Sequence, residues 1–503
     1  MSATQYTVKP GTFGNISKPG RSGILGLPMG VSLAGVPFIL VIVLMLARQW
    51  FIPALVVAVL GIVSAALLLV TQKDGRTIYG RTMLRLMQRR KEKSGQAAYM
   101  AGPTGHTRDG ACRLPGLLAP SELFEFTDSY GNPFGLIRVA STRHYSVVIE
   151  AHPDGDELVD SERVNSMVAH WGSWLAQRGV EEGIAGASVT VESSPDTVLR
   201  LQRMMQQNQS AASSDFSAEV ARAIPAEYSG GSPDLTTRLT VTFDGRAVDG
   251  SGKDRGVDEM AEEIGNRLPV ILAGLFDTGA GTTVRTSSAQ DIVDATRTAY
   301  DPTTGRLIEQ ARAEGGTGLR WEDAGPSFHL DGFDVYRHDR AWSKSWTMYE
   351  GPRGIFYATA LRRVFEPTAG VLRKRVTLLY RPIPAARASE LVERDINDAT
   401  FEASQKQRVS ARSRQRRAAA EKSAQEEAEG AGLTRFGLVV TVSVDDPDKF
   451  KRLDQTIPGL TNQARLRMRE AIGNQAVTFQ AGLPLGLVLP EHMTLPDEVR
   501  DWL

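Results

Sequence analysis

One cysteine, Cys112, stands among 503 residues, which excludes an intrachain disulfide and any cysteine-based zinc site. Histidine is nearly as scarce, and the seven present include no i, i+4 pair from which a helix could hold a metal. Charge of one sign is missing too. The 58 Lys and Arg balance 58 Asp and Glu, which argues against a surface tuned as a whole to nucleic acid. The phosphate-cradling signatures do not occur. The nearest approach to a P-loop, Gly250-Ser-Gly252-Lys253-Asp254, has Ala247 where the leading glycine belongs and an acid in place of the Mg²⁺-binding hydroxyl. It reads as a turn. There is no GxGxxG after a strand, no GxSxG elbow, no HExxH and no EF-hand loop. Asp331, Asp334 and Asp339, around His329 and His338, lie in a Gly- and aromatic-rich stretch that favours turn capping over cation binding. No catalytic, cofactor-binding or metal-binding residue is therefore assigned, and no cofactor is expected.

What is present is a folded chain of ordinary composition, 42% hydrophobic and 23% charged, with length for about three domains. Its most visible feature is a pair of apolar runs. Ile24 to Ala47 carries no charge over 24 positions and Trp50 to Val70 none over 21. About 20 apolar residues suffice to cross a hydrocarbon core, so the pattern predicts a two-helix transmembrane hairpin turning at Arg48-Gln49. Lys9, Lys18 and Arg21 precede it, and a strongly basic segment, 73–93, follows. The positive-inside rule then puts both termini in the cytoplasm of a bacterial cell and Trp50 at the outer interface of its cytoplasmic membrane. Arg81, Arg85 and Arg89 recur every four residues, a helix face suited to anionic lipid.

Beyond a Gly-rich linker, strand and helix patterns alternate. His144 to Ala151 puts Tyr145, Val147 and Ile149 on one face, and a helix carrying Val164, Met167, Val168, Trp171, Trp174 and Leu175 follows. Ser188–Glu192 is a strand and Asp196–Asn208 a second helix. Leu235–Phe243, a helix over about 257–276, Thr282–Thr286 and a helix opened by the capping box Ser288-Ala-Gln-Asp291 repeat that order. The fold class expected is a membrane-anchored α+β protein. A cytoplasmic tail (1–23), the transmembrane hairpin (24–72) and a basic juxtamembrane helix and linker (73–132) lead into cytoplasmic repeated β-α-β-α subdomains (133–230 and 231–330). A third α+β region (331–503) carries long charged helices over 385–431. A strand at Phe436–Val444, a helix around Asn462–Ile472 and a strand at Val477–Gln480 close it.

The charged stretch comes in blocks. Acids at Glu390, Glu393, Asp395, Asp398 and Glu402 precede Lys406, Arg408, Arg412, Arg414, Arg416 and Arg417, and Glu421, Glu426, Glu427 and Glu429 follow. It lacks a sustained heptad, so a self-standing coiled coil is not predicted. Acidic flanks pairing with the basic centre explain the pattern. No aromatic lies between Glu402 and Gly430 to stack a base, so direct nucleic-acid binding is not expected. Arg412, Arg414, Arg416 and Arg417 remain as a candidate protein-interaction surface.

A basic N-terminus, a tight apolar hairpin and a basic exit resemble the PrgI-type inner-membrane subunit of conjugative type IV secretion. The segment from Arg353-Gly-Ile-Phe-Tyr357 through Arg375-Val-Thr-Leu-Leu-Tyr380-Arg-Pro-Ile-Pro384 is similar to the N-terminal, non-ATPase part of the partnering secretion ATPase. So are the charged helices and the ending Gln475-Ala-Val-Thr-Phe479-Gln-Ala-Gly-Leu-Pro484-Leu-Gly486. The fused form without a motor resembles a membrane protein family of actinobacterial conjugative elements. That resemblance implies a non-catalytic inner-membrane scaffold of a DNA-transfer machine. It would be an oligomer within a complex, and its partners would be membrane lipid, a secretion ATPase, a coupling ATPase and other secretion subunits. The EccE-type subunit of type VII secretion, also two apolar helices and an α/β body, is the competing resemblance. A membrane-tethered enzyme with an unrecognised site is the alternative of another class.

Overall fold

The computed structural model describes residues 12–14, 29–69, 75–195, 233–247, 251–352, 355–404, 411–428, 430 and 432–493, apart from 104, 106, 108, 109, 154 and 156–158, together with a few positions between 214 and 223. The N-terminal tail and the helix expected over Asp196–Asn208 lie outside the described residues, the short strand β1 (Thr12–Gly14) excepted.

Helices α1 (Met29–Ala47) and α2 (Phe51–Leu69) form the apolar hairpin. Gln49 takes a left-handed φ of 59° in the turn, and the Trp50 amide reaches back to the Met45 carbonyl at 2.9 Å. Gly61 lets the Phe38 ring of α1 approach α2 closely. Outward-facing Ile39, Leu44, Ile52, Leu55 and Ile62 leave the surface of the pair apolar. Among the described residues, however, no helix is long and apolar enough to cross a membrane. The membrane-anchored fold class, the transmembrane hairpin and the two-pass placement with cytoplasmic ends are corrected accordingly.

Helix α3 (Ile78–Lys93) starts at Thr77, whose Oγ1 accepts from the Gly80 amide at 3.1 Å, and leads into β2 (Ala98–Met100). Strands β3 (Ser121–Thr127), β4 (Pro133–Val139) and β5 (His144–Ala151) form a meander. Helix α4 (Ser161–Val180), β6 (Ile184–Ser194), β7 (Asp234–Asp244), α5 (Val257–Ala273) and β8 (Val284–Thr286) follow. Strand β7 inserts between β5 and β6, antiparallel to both, and β8 pairs the far side of β5. The order β8-β5-β7-β6 of a β-α-β-β-α-β run is the ferredoxin-like arrangement. Residues 144–194 and 234–286 are thus two interleaved halves of one unit.

After α6 (Ala289–Tyr300) and α7 (Gly305–Ala313) the plan returns. Strands β9 (Phe328–Asp331), β10 (Tyr336–His338) and β11 (Ala341–Glu350) repeat the meander. Then come β12 (Ile355–Tyr357, paired with β1), α8 (Arg362–Phe365), β13 (Arg373–Pro382), α9 (Ala385–Ser404), α10 (Ala411–Ala428), β14 (Thr434–Val444), α11 (Phe450–Gln463), β15 (Arg467–Glu470) and α12 (Gln475–Ala481). The order is β15-β11-β14-β13, again ferredoxin-like. The second strands of the two units, β6 and β13, pair antiparallel over seven residues. One antiparallel sheet of 13 strands results, with a pseudo-two-fold relation across that seam.

Period-two patterning decides the layers. One face carries Tyr145, Val147, Ile149, Leu239, Val241 and Phe243 against α4 and α5. In the second unit the same face carries Trp346, Val376, Val440, Val442 and Val444 against α8 and α11. The opposite face packs Ile137, Val139 and Val148 against Ile292 and Tyr300 of α6, Phe479 of α12 and the leucines at 483, 485 and 487.

Candidate functional site

Along the centre of that second face the inward positions are not apolar. Ser146 and Thr242 hydroxyls meet at 3.0 Å, Thr190 and Thr377 at 3.2 Å, Ser345 and Thr441 at 2.9 Å, Ser343 and Ser443 at 2.7 Å. In isolation such strands would read as one wet face. Here the segment 482–488 crosses them. Thr377 donates to the Gly482 carbonyl at 2.8 Å and Thr242 to the Gly486 carbonyl at 3.1 Å. This strap accepts from those two hydroxyls, and its Leu483, Leu485 and Leu487 are themselves buried on that face.

At the seam, Glu192 of β6 lies against Arg373 and Arg375 of β13. Arg375 Nε and Nη2 donate to Glu192 Oε2 at 2.9 and 2.7 Å, and Arg373 pairs with Oε1. Burial alone would raise the Glu192 pKa. The guanidiniums of Arg373, Arg375 and Arg238 outweigh it and hold the carboxyl at about 2. The Arg375 guanidinium also stands 5.4 Å over the Phe479 ring. Removing one partner of such a buried pair costs far more than the pair contributes. Toward solvent the network continues through Arg238, Glu150, Arg285, Asp291 and Arg312.

A second buried cluster surrounds His338. Its Nδ1 lies 2.5 Å from the Tyr300 carbonyl oxygen and must carry the proton there, so Nε2 accepts from the Ser343 hydroxyl at 2.7 Å. Tyr300, Tyr336 and Phe479 enclose the ring. Burial drives its pKa down to about 4. The Ser343–His338 pair has the elements of a nucleophile and base, but both are fully buried under α12. As it stands, this is a structural network.

The residues singled out in the sequence do not converge. Trp50 is exposed at the hairpin turn. Helix α3 docks on the β9–β10 turn rather than lying free. Gln88 donates to the Asp331 carbonyl at 2.7 Å, Lys91 pairs with the Asp331 carboxylate, and Arg85 stands 5.7 Å over Phe333. Arg81 turns partly into that contact while Arg85 and Arg89 stay exposed. The charged stretch forms a helical hairpin, α9 on α10, with Ala388, Val392 and Ala399 on its buried seam. Arg414 and Arg417 are exposed, and Arg417 is paired with Glu421 at 2.7 Å. Arg416 turns partly inward, near Asp395, and the Arg412 side chain lies outside the described residues. Arg416 and Arg417 thus each have an acidic neighbour within the hairpin itself.

Asp331 and Asp339 have structural partners. Asp331 accepts from the Ala476 amide, and Asp339 caps Ser327 and Phe328 and pairs with Arg297 at 2.9 Å. No cluster able to hold a metal occurs among the described residues. Asp254, the acid of the P-loop-like string, binds Arg138 at 2.6 Å and the Tyr145 hydroxyl at 2.8 Å. Trp171 and Trp174 stack with centroids 5.1 Å apart, and Trp174 donates to the Ile271 carbonyl. The seam cluster escaped sequence reading. Its signal was Glu192, Arg373 and Arg375, charged residues set beside the β-branched Val189-Thr-Val191 and Val376-Thr377 in their strands. No protein-family model matches this chain, and no curated protein matches it.

Proposed function

We propose that the protein is a non-catalytic docking subunit of a multi-protein transfer machine of the type IV secretion kind, offering its charged arm to a separate motor ATPase. The observation that carries this reading is the construction of the arm. Helices α9 and α10, 20 and 18 residues long, leave the sheet between β13 and β14 and return to it, where the Ile383 amide donates to the Leu433 carbonyl at 2.8 Å. Their outer faces carry mixed charge, Arg387, Glu390, Glu393 and Arg394 on α9 and Arg414, Arg417, Glu421 and Glu426 on α10. Among the described residues this charge-rich arm contributes no side chain to either of those helix-packed cores, which suits it to contact other subunits. The resemblance of the flanking strands and of the Gly482–Gly486 ending to the non-motor part of a secretion ATPase supplies the kind of partner.

The test is crosslinking in the native host, purification of the tagged chain and identification of what accompanies it. The expected result is a P-loop secretion ATPase that is captured with the full chain and lost when residues 386–428 are replaced by a short Gly-Ser linker. A solitary protein, or one whose partners are indifferent to the arm, refutes the reading.

A further inference from the structure

We propose that the apolar hairpin α1–α2 is a self-assembly surface, covered by the same hairpin of further copies of this chain packed side by side in a closed ring. The assembly does not depend on the docking role of the arm. Helix α1 packs on α2, and α2 meets α3. Among the described residues, none of the three hydrophobic cores draws a side chain from either helix of the hairpin. Ile39, Val43 and Leu44 of α1 and Ile52, Leu55 and Ile62 of α2 are instead 58–78% exposed.

The uncovered surface is large. The big apolar side chains exposed between Val36 and Val63 present on the order of 1,500–2,000 Å². The largest apolar patch of a typical monomer is about 300–600 Å². A helix that is apolar all round needs cover. One neighbour against one side of the hairpin takes about half of that surface, close to the roughly 800 Å² per partner of a stable interface. A second neighbour on the other side is needed for the rest, and a unit contacted head to tail on both sides closes into a ring.

The chemistry of the helices selects the occupant. Neither carries a charged residue over Met29–Ala47 or Phe51–Leu69, so a charged face laid on them would lose its hydration with no counter-charge in return. The other long helices of the chain, α3, α4, α5, α9 and α10, all carry charge along their lengths. The helical surface of this protein that matches is the hairpin itself. Its shape suits packing between copies. The Phe38 ring fills the hollow at Gly61, where a Cβ would stand 3.3 Å from it, whereas a Cβ at Gly35 would meet nothing within 4 Å. Ile62 stands at about the same height from the turn on α2 as Gly35 on α1, so a neighbour's Ile62 has that hollow to enter. Arg48 is exposed in the turn, and side-by-side packing buries no charge.

The experiment uses the full chain without detergent. Its mass is followed by sedimentation velocity from sub-micromolar to tens of micromolar concentration. The expected result is one discrete species of three or more chains that persists on dilution. Ile39→Lys with Ile62→Lys should bring it to the mass of one chain with the far-ultraviolet circular dichroism of the folded body retained, since both side chains face solvent in the single chain. Leu44→Lys with Leu55→Lys gives an independent dispersal, and Ile39→Leu with Ile62→Leu should keep the assembly. Flotation with phosphatidylcholine–phosphatidylglycerol vesicles tests the other cover. A monomer that floats with those vesicles, and no longer does so with the lysines in place, overturns the proposal in favour of a lipid surface. A monomer that binds neither also overturns it. So do aggregates without fixed stoichiometry, and so does a discrete assembly that survives both lysine pairs, which would place the contact elsewhere.

Discussion

Acid should unfold this protein well above the usual carboxylate range, and three buried histidines set where. His144, His329 and His338 each have a pKa lowered from 6.5 to about 4, chiefly by burial. The unfolded chain therefore binds protons between those values that the native state refuses, and stability must fall as pH drops through that window. Each site loses about 2 kcal/mol between pH 7 and pH 5 from a shift of that size, about 5–6 kcal/mol for the three. That is a large part of a typical total of about 5–15 kcal/mol. Carboxylates cannot imitate it. Glu192, held at about 2, contributes stability that is lost only as pH falls below its unfolded value of 4.5. The assay is the urea midpoint at pH 7, 6, 5.5 and 5, with proton uptake on unfolding measured at pH 5.5. Uptake should be about 2–3 protons, and His144→Gln, at a ring whose Nε2 has no partner, should remove about one. A midpoint unchanged from pH 7 to 5, or uptake near zero, would mean that these rings are not held neutral and would refute the packing argument behind them.

Two substitutions test the second face of the sheet. Gly486 has φ +73°, and a Cβ there would stand 2.5 Å from Ser146 Cβ and 2.6 Å from Thr242 Oγ1. Gly486→Ala should cost about 2–5 kcal/mol, left-handed strain plus overpacking, measured by denaturant unfolding. Gly131→Ala, at φ +84° with nothing within 4 Å, should cost about 1–2 kcal/mol from strain alone. Equal costs would show that the strap does not press on the strands. Glu192→Gln leaves the buried Arg375 without its counter-charge and should cost about 3–5 kcal/mol. A loss under about 1 kcal/mol would place the charge pair in contact with water.

Local structure was legible where periodicity and caps agree. The faces of His144–Ala151 and Leu235–Phe243 are as the alternation requires, and Ser288 and Asp291 exchange both bonds of the capping box. The two tryptophans of α4 are core aromatics, as their spacing implies. Local patterns mislead where a distant partner overrides them. Val477–Gln480 reads as a strand by residue type, yet it belongs to α12, held over β11 by Gln475, whose side chain accepts from the Ser345 amide. The helix expected over Asn462–Ile472 ends at Gln463 because Arg465 turns left-handed, φ 58°, and the chain leaves as β15. The seam cluster joins residues 181 and 183 positions apart, a pairing that no local pattern announces. The apolar runs were plain in the sequence, but among the described residues no helix is long and apolar enough to cross a membrane.

The pseudo-symmetry explains why the charged arm can exist at all, and this yields a last prediction. Each unit has a long connection between its second and third strands, 195–233 in one and 383–433 in the other. Because β6 and β13 run antiparallel, these connections leave the sheet at opposite ends of the seam. Among the described residues neither helix-packed core draws a side chain from either connection, so the position tolerates insertion, and loop entropy grows only slowly with length. The ends of the arm are already joined across the ladder, Pro382 opposite Thr434 with the Ile383–Leu433 hydrogen bond beyond. Replacing 386–428 with a short Gly-Ser turn should therefore leave a cooperatively folding protein whose Tm lies within about 2–4 °C of the parent, the shift that about 1 kcal/mol produces in a large domain. Its amide exchange in β13 and β14 should stay as slow as before. Loss of cooperative unfolding, or rapid exchange in those strands, would show that the arm braces the seam and that the two units are not a self-sufficient body without it.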